Sequence, residues 1–167
     1  MNGLLTSYGV VFIVVASVPA YYLYKYLTQR WAWLKRNIWI SEKFIQYLKI
    51  NDIDGFKAYC HEVGPQEVKT FMVYDRYPLT LIAVGEKSLE GLKFLIEEMA
   101  YPIDKQAKNG ETALIRACHF KNIDIVKYLL SRGADTEIRN KQHITAFITA
   151  YMRDKPDIVT ELLWGGC

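Results

Sequence analysis

Apolar residues recur along this chain in two different rhythms. From Leu4 to Leu27 they are nearly continuous, and Lys25 is the first charged side chain. That run would measure roughly 36 Å as a helix, enough to cross the hydrocarbon core of a bilayer. Further along, the apolar positions fall into short segments at helical spacing, such as Leu89, Leu92, Leu95 and Ile96, then Ile123, Val126, Leu129 and Leu130. The pattern predicts an all-helical chain with one long apolar helix followed by a series of short amphipathic ones.

The punctuation between the short segments is equally regular. Gly110 permits the positive φ of a tight turn, and Thr112 is a hydroxyl residue placed to cap a helix running to about His119. Asn122, or Asp124 just inside, can cap the next helix, and Gly133 supplies a left-handed stop. One such helix pair cannot bury its own apolar face, so the unit should recur. It does, at a spacing of 33 residues: Thr112, Ala113, Ala117, Ile125, Val126, Leu129, Leu130 and Gly133 are matched by Thr145, Ala146, Ala150, Ile158, Val159, Leu162, Leu163 and Gly166. Upstream, Tyr77-Pro78-Leu79 and Ala83 open a weaker copy. A divergent first copy is expected around Ile53-Asp54-Gly55-Phe56-Lys57, preceded by a helix near Glu42 to Ile50, although Val63 to Asp75 lacks the turn motif.

The stretch Asn109-Gly110, Thr112-Ala113-Leu114, Ala117-Cys118, Ile125-Val126, Leu129-Leu130 and Gly133-Ala134-Asp135 closely resembles an ankyrin repeat. The resemblance implies an ankyrin solenoid of about four repeats over residues 41–167. It departs from the family at Lys121, where a turn glycine is usual, at Ala113 and Ala146 in place of proline, and at Ile115 in place of histidine. Ankyrin repeats are protein-binding scaffolds whose partner surface is built from the finger tips and the exposed side of the first helices. Carried across by position, that surface comprises Lys108, Asn109, Glu111, His119 and Phe120 in the third repeat, and Lys141, Gln142, Ile144, Met152 and Arg153 in the fourth. Each of these is otherwise an ordinary solvated residue, but Phe120, Ile144 and Met152 together form an apolar strip of the kind found at interface centres.

Residues 1–28 are expected to form a single transmembrane helix. A cleaved signal peptide would want a basic start, which Met1 to Leu5 lacks, although Val18-Pro19-Ala20 could serve as a cleavage site. A buried core helix is the other alternative, but ankyrin stacks do not enclose an extra helix and this one is apolar all round. Tyr21, Tyr22, Tyr24, Tyr26, Trp31 and Trp33, interleaved with Lys25, Arg30, Lys35 and Arg36, form an aromatic and basic belt suited to the headgroup layer. Residues 29–40 read as an interfacial continuation of the helix against anionic lipid, in preference to a dedicated protein-binding motif. Ser41 is expected to cap a new helix that opens the repeat domain. All the nearby positive side chains follow the span, so the repeats should lie on the cytosolic, matrix or stromal side.

Composition adds little beyond this. The net charge of +3 does not argue for nucleic acid, and three widely spaced cysteines, Cys60, Cys118 and Cys167, do not make a disulfide framework. Adjacent Cys60 and His61 would not face each other on a helix, and neither His119 nor His143 has a second ligand at metal-binding spacing. No catalytic residue, cofactor, metal or small-molecule substrate is expected. The leading expectation is a non-catalytic accessory subunit of a membrane complex that binds other protein subunits. The layout resembles that of small bitopic subunits of mitochondrial respiratory assemblies, which points to the mitochondrial inner membrane. The alternative is a membrane-tethered adaptor recruiting a soluble client. The fourth repeat keeps interior-type apolar residues and adds Tyr151 and Trp164, so its outer face is expected to be covered by another protein. In the other arrangement Tyr151, Arg153, Lys155 and Glu161 fold over it.

Overall fold

The computed structural model describes residues 5–164, and the side chains of residues 21–164. The chain divides into two compact units, residues 1–39 and 40–167. A single helix, α1 (Leu5–Lys49), supplies the described part of the first unit and the opening turns of the second. No helix among the described residues is long and apolar enough to cross a membrane. Most of the predicted span, residues 1–20, lies outside the residues whose side chains are described.

The second unit continues with α2 (Ile53–Val63), α3 (Pro65–Thr70), the two-stranded antiparallel ribbon β1 (Met72–Val73) and β2 (Tyr77–Pro78), α4 (Leu79–Gly85) and α5 (Leu89–Glu97). It then runs through α6 (Ala113–Phe120), α7 (Ile123–Ser131), α8 (Ala146–Met152) and α9 (Pro156–Trp164). The first helices of successive repeats stack, with α6 between α4 and α8, and each also packs on its own second helix. Burial follows the repeated positions: Leu92, Leu95, Ala117, Ile125, Val126, Leu129, Ala150 and Ile158 are all at or near zero exposure.

The short helices start where the sequence places hydrogen-bonding side chains. Thr112 Oγ1 accepts the Ile115 N–H at 3.3 Å, and 33 residues later Thr145 Oγ1 accepts that of Ile148 at 3.3 Å. The second helices are capped by Asp52, Ser88 and Asn122, which accept from Gly55, Gly91 and Ile125. Asn122 rather than Asp124 therefore opens α7. Each such cap stabilises by about 1 kcal/mol by satisfying an N–H the helix leaves orphaned. The α7 end turns over at Gly133 with φ 79°, and Ala134 N–H returns to Leu129 C=O at 3.0 Å. Lys121 ends α6 in the left-handed conformation at φ 60°, ψ 36°. A β-carbon is strained there, so Lys121→Gly should raise the stability of the full chain by about 0.5–1 kcal/mol, read as a higher melting temperature in mild detergent.

Turns of one design link the repeats. Gly110 N–H donates to Ala107 C=O at 2.8 Å, and its counterpart His143 donates to Asn140 at 2.9 Å. Both are left-handed, at φ 80° and 61°. Adjacent turns are bonded to each other: Lys108 N–H reaches Arg76 C=O, and Lys141 N–H reaches Asn109 C=O, both at 3.0 Å. A β-carbon on Gly110 would stand 2.9 Å from the Lys141 backbone nitrogen, so this close approach requires glycine. On the second helices, ion pairs bridge neighbouring repeats: Lys57 with Glu98, Arg132 with Glu97 and Lys127 with Glu161. All involve exposed or half-exposed side chains, which limits each to a fraction of a kcal/mol.

Two expectations for the first repeat need correction. Ser41 does not cap a helix; it lies inside α1, fully buried, and its Oγ accepts the Tyr74 N–H at 3.0 Å. Residues 28–49 contain neither glycine nor proline, so nothing interrupts the helix and no separate one starts near Glu42. The missing motif between Val63 and Asp75 is replaced by α3 and the ribbon, whose loop carries Tyr74 and Asp75 at positive φ. Tyr101 ties this finger down, its hydroxyl donating to Phe71 C=O at 2.9 Å and accepting the Leu79 N–H at 3.2 Å. Burial of that hydroxyl pushes its pKa up to about 12, so it remains a donor.

Candidate protein-binding surface

The turn tips and the first helices place the sequence-predicted residues along one side of the repeat unit. Lys108, Asn109, Lys141 and Gln142 are exposed on successive turns. Lys108 Nζ is 2.7 Å from Asp75 Oδ2 on the preceding turn. Glu111 is half-buried: it accepts from Arg116 at 3.0 Å, and its backbone N–H donates to Asn109 Oδ1 at 3.2 Å. The Arg116 guanidinium lies between the rings of Tyr77 and Phe120, 5.4 and 5.9 Å from their centroids. Asn109 and Glu111, two residues apart on the same turn, line two different grooves.

One groove, of about 160 Å³, runs between α6 and α8 and includes Glu111, His119, Ile144, Met152 and Arg153 on its walls. The Arg153 guanidinium stands 2.9 Å from His119 Nδ1 and 3.0 Å from Nε2. Met152 is 68% exposed and Phe120 43%, whereas Ile144 is half-buried. The second groove, of about 300 Å³, crosses the turns and is lined by Arg76, Tyr77, Lys108, Asn109 and Lys141. The structure therefore brings Glu111, His119, Ile144, Met152 and Arg153 together in one place and Lys108, Asn109 and Lys141 in another. Gln142 lines neither.

Tyr151 and Trp164 lie elsewhere, 73% and 74% exposed on α8 and α9, with Leu163, Phe147 and Ile148 also exposed. The sequence reasoning did not name Phe147 and Ile148, because their counterparts one repeat earlier, Leu114 and Ile115, are core residues. Arg76 is a further lining residue that the sequence pattern does not mark, and Tyr77, read there only as the start of the second repeat, lines the same groove. Register alone could have found Arg76, which stands 33 residues before Asn109.

On the long helix, Tyr21, Tyr22, Tyr24, Lys25, Arg30, Trp31, Trp33, Lys35 and Arg36 are all exposed. Arg30 donates to the Tyr26 hydroxyl at 3.1 Å, and with Leu27, Trp31 and Leu34 it borders a shallow groove of about 210 Å³.

Among the described residues no three His, Cys, Asp or Glu side chains come together to hold a metal. Cys60 and Cys118 are buried, and desolvation pushes both thiols up to about 12, away from the thiolate a nucleophile needs.

Comparison with known proteins fits this geometry. The ankyrin repeats family model matches residues 45–140 and 79–167, in three copies. The chain belongs to the ankyrin repeat family. Over 87 residues it is 40% identical to rat ankyrin repeat and SAM domain-containing protein 6, covering 52% of this chain and 9% of that protein. Over 68 residues it is 40% identical to alpha-latrotoxin-Lg1a of Latrodectus geometricus, covering 40% of this chain and 5% of the toxin. The chain thus spans under a tenth of the length of either relative. A chain in the crystal structure of the yeast ribosomal protein Rps3 in complex with its chaperone Yar1 has the same fold, with a TM-score of 0.66 at 23% identity. That match covers 74% of this chain and 90% of the other.

Proposed function

We propose that this protein is a non-catalytic accessory subunit of a membrane complex, held by its N-terminal helix and binding other subunits through its ankyrin repeats. The observation that carries the membrane part is the described surface of α1. Tyr21, Tyr22, Leu23, Tyr24, Trp31 and Trp33 are each more than half exposed, and Lys25, Arg30, Lys35 and Arg36 alternate with them. An aromatic and basic helix surface of this kind is costly in water and favourable in a headgroup layer, and it begins in the last turns of the apolar run Leu4–Leu27. The binding part draws on the family's role and on the exposed Phe120 and Met152 beside the grooves. The exposed apolar residues of α8 and α9 suit a chain that works in contact with other proteins. The layout favours the mitochondrial inner membrane.

Topology follows from the charges. With Lys25, Arg30, Lys35 and Arg36 all after the apolar run, the repeats should face the matrix or cytosolic side. Protease added to sealed vesicles from the opposite side should leave the repeats intact until the membrane is permeabilised; their digestion without permeabilisation would reverse the orientation. A membrane-tethered adaptor for a soluble client is the second reading, favoured by the open groove between α6 and α8. Isolation in mild detergent separates the two: membrane subunits that comigrate support the first, and one soluble protein supports the second.

A further inference from the structure

We propose that the groove across the turn tips, with the α6–α8 groove two residues along the chain from it, selects an acidic segment of the partner protein with apolar residues beside its carboxylates. The assignment rests on the protein-binding reading above and adds the chemistry of what is bound. The turn groove carries Arg76, Lys108 and Lys141. Only Lys108 has a carboxylate partner among the described residues, Asp75 at 2.7 Å. Arg76 and Lys141 make no ion pair among the described residues. In the neighbouring groove Glu111 is already engaged by Arg116, which leaves Arg153 beside His119 without a carboxylate. Three unbalanced cations therefore line these two grooves of a chain whose whole net charge is only +3.

Their spacing is fixed by backbone. Lys108 N–H to Arg76 C=O and Lys141 N–H to Asn109 C=O, each 3.0 Å, lock the turns in sequence, and the glycine at 110 lets them approach closely. The bonded turns fix the backbone positions from which these cations project, and arginine matches carboxylate with paired N–H donors. Tyr77 and Asn109 on the walls of the turn groove, Met152 on the α6–α8 groove and the exposed Phe120 on α6 offer the apolar and amide contacts that a peptide chain uses.

The test uses the full chain in mild detergent with a labelled peptide of alternating Glu and Leu, and the same peptide with Gln for Glu. Fluorescence polarisation should show the Glu peptide binding about tenfold or more tightly than the Gln peptide, weakening as salt rises. The variant Arg76→Glu/Lys141→Glu, altered only at exposed side chains, should keep the wild-type melting temperature and lose about tenfold in affinity for the Glu peptide. Equal binding of both peptides, or unchanged binding by the variant, would overturn the proposal, as would stronger competition by short-chain phosphatidylserine or by an RNA oligonucleotide than by unlabelled peptide. Comigration of native partners keeps the two levels apart. Partners retained by both wild type and variant contradict the acidic-segment assignment alone, and a wild-type chain that migrates with no partner contradicts the protein-binding reading itself.

Discussion

Phe44→Ala should destabilise the repeat unit by about 3–5 kcal/mol, although the residue lies on the same helix as the exposed aromatic and basic surface. Phe44 is fully buried, and its ring centroid lies 5.8 Å from Phe56, 5.0 Å from Tyr59 and 5.4 Å from Phe71. Removing it opens a cavity among aromatic rings drawn from α1, α2 and the end of α3. Melting of the full chain should fall by roughly 10 °C or more. Trp33→Ala, on the same helix but 56% exposed, should change it little. Similar melting temperatures for the two variants would mean that the last turns of α1 are not part of the repeat core.

Leu129→Ala is the second large effect, at about 2–5 kcal/mol. Leu129, on α7, has zero exposure within the core, so truncation costs both apolar burial and packing. Leu163 occupies the position of Leu130 one repeat later, yet it is 57% exposed where Leu130 is 7%. Leu163→Ala should therefore cost far less in the isolated chain. A large loss at Leu163 with no loss at Leu129 would mean that the repeat register is misassigned.

The contrast between Leu130 and Leu163 also shows what the sequence could and could not convey. The third and fourth repeats were legible because their folding is local: Thr112, Asn122 and Thr145 cap at fixed offsets, and Gly110 and Gly133 stand where φ is positive. The first repeat was legible only in part: α2 starts at Ile53 behind its Asp52 cap, but Ser41 acts through a tertiary bond to Tyr74 that no local pattern announces. Its finger is built from α3 and a ribbon instead of the family turn. On the candidate surface, register alone placed Lys108, Asn109 and Lys141 correctly on adjoining turns. Arg76 escaped notice for want of a motif around it, and the exposure of Phe147 and Ile148 depends on what packs beyond α8, which identical core-type residues cannot reveal.

The most direct test of the account is to isolate the full chain from native membranes in mild detergent, wild type beside Phe120→Glu/Met152→Glu, and identify what comigrates. A membrane-anchored subunit that binds through its ankyrin surface should bring down a fixed set of membrane proteins, and the double variant should stay in the membrane fraction while losing most of that set. Recovery of the wild-type chain alone, or of the same set with both chains, would contradict it.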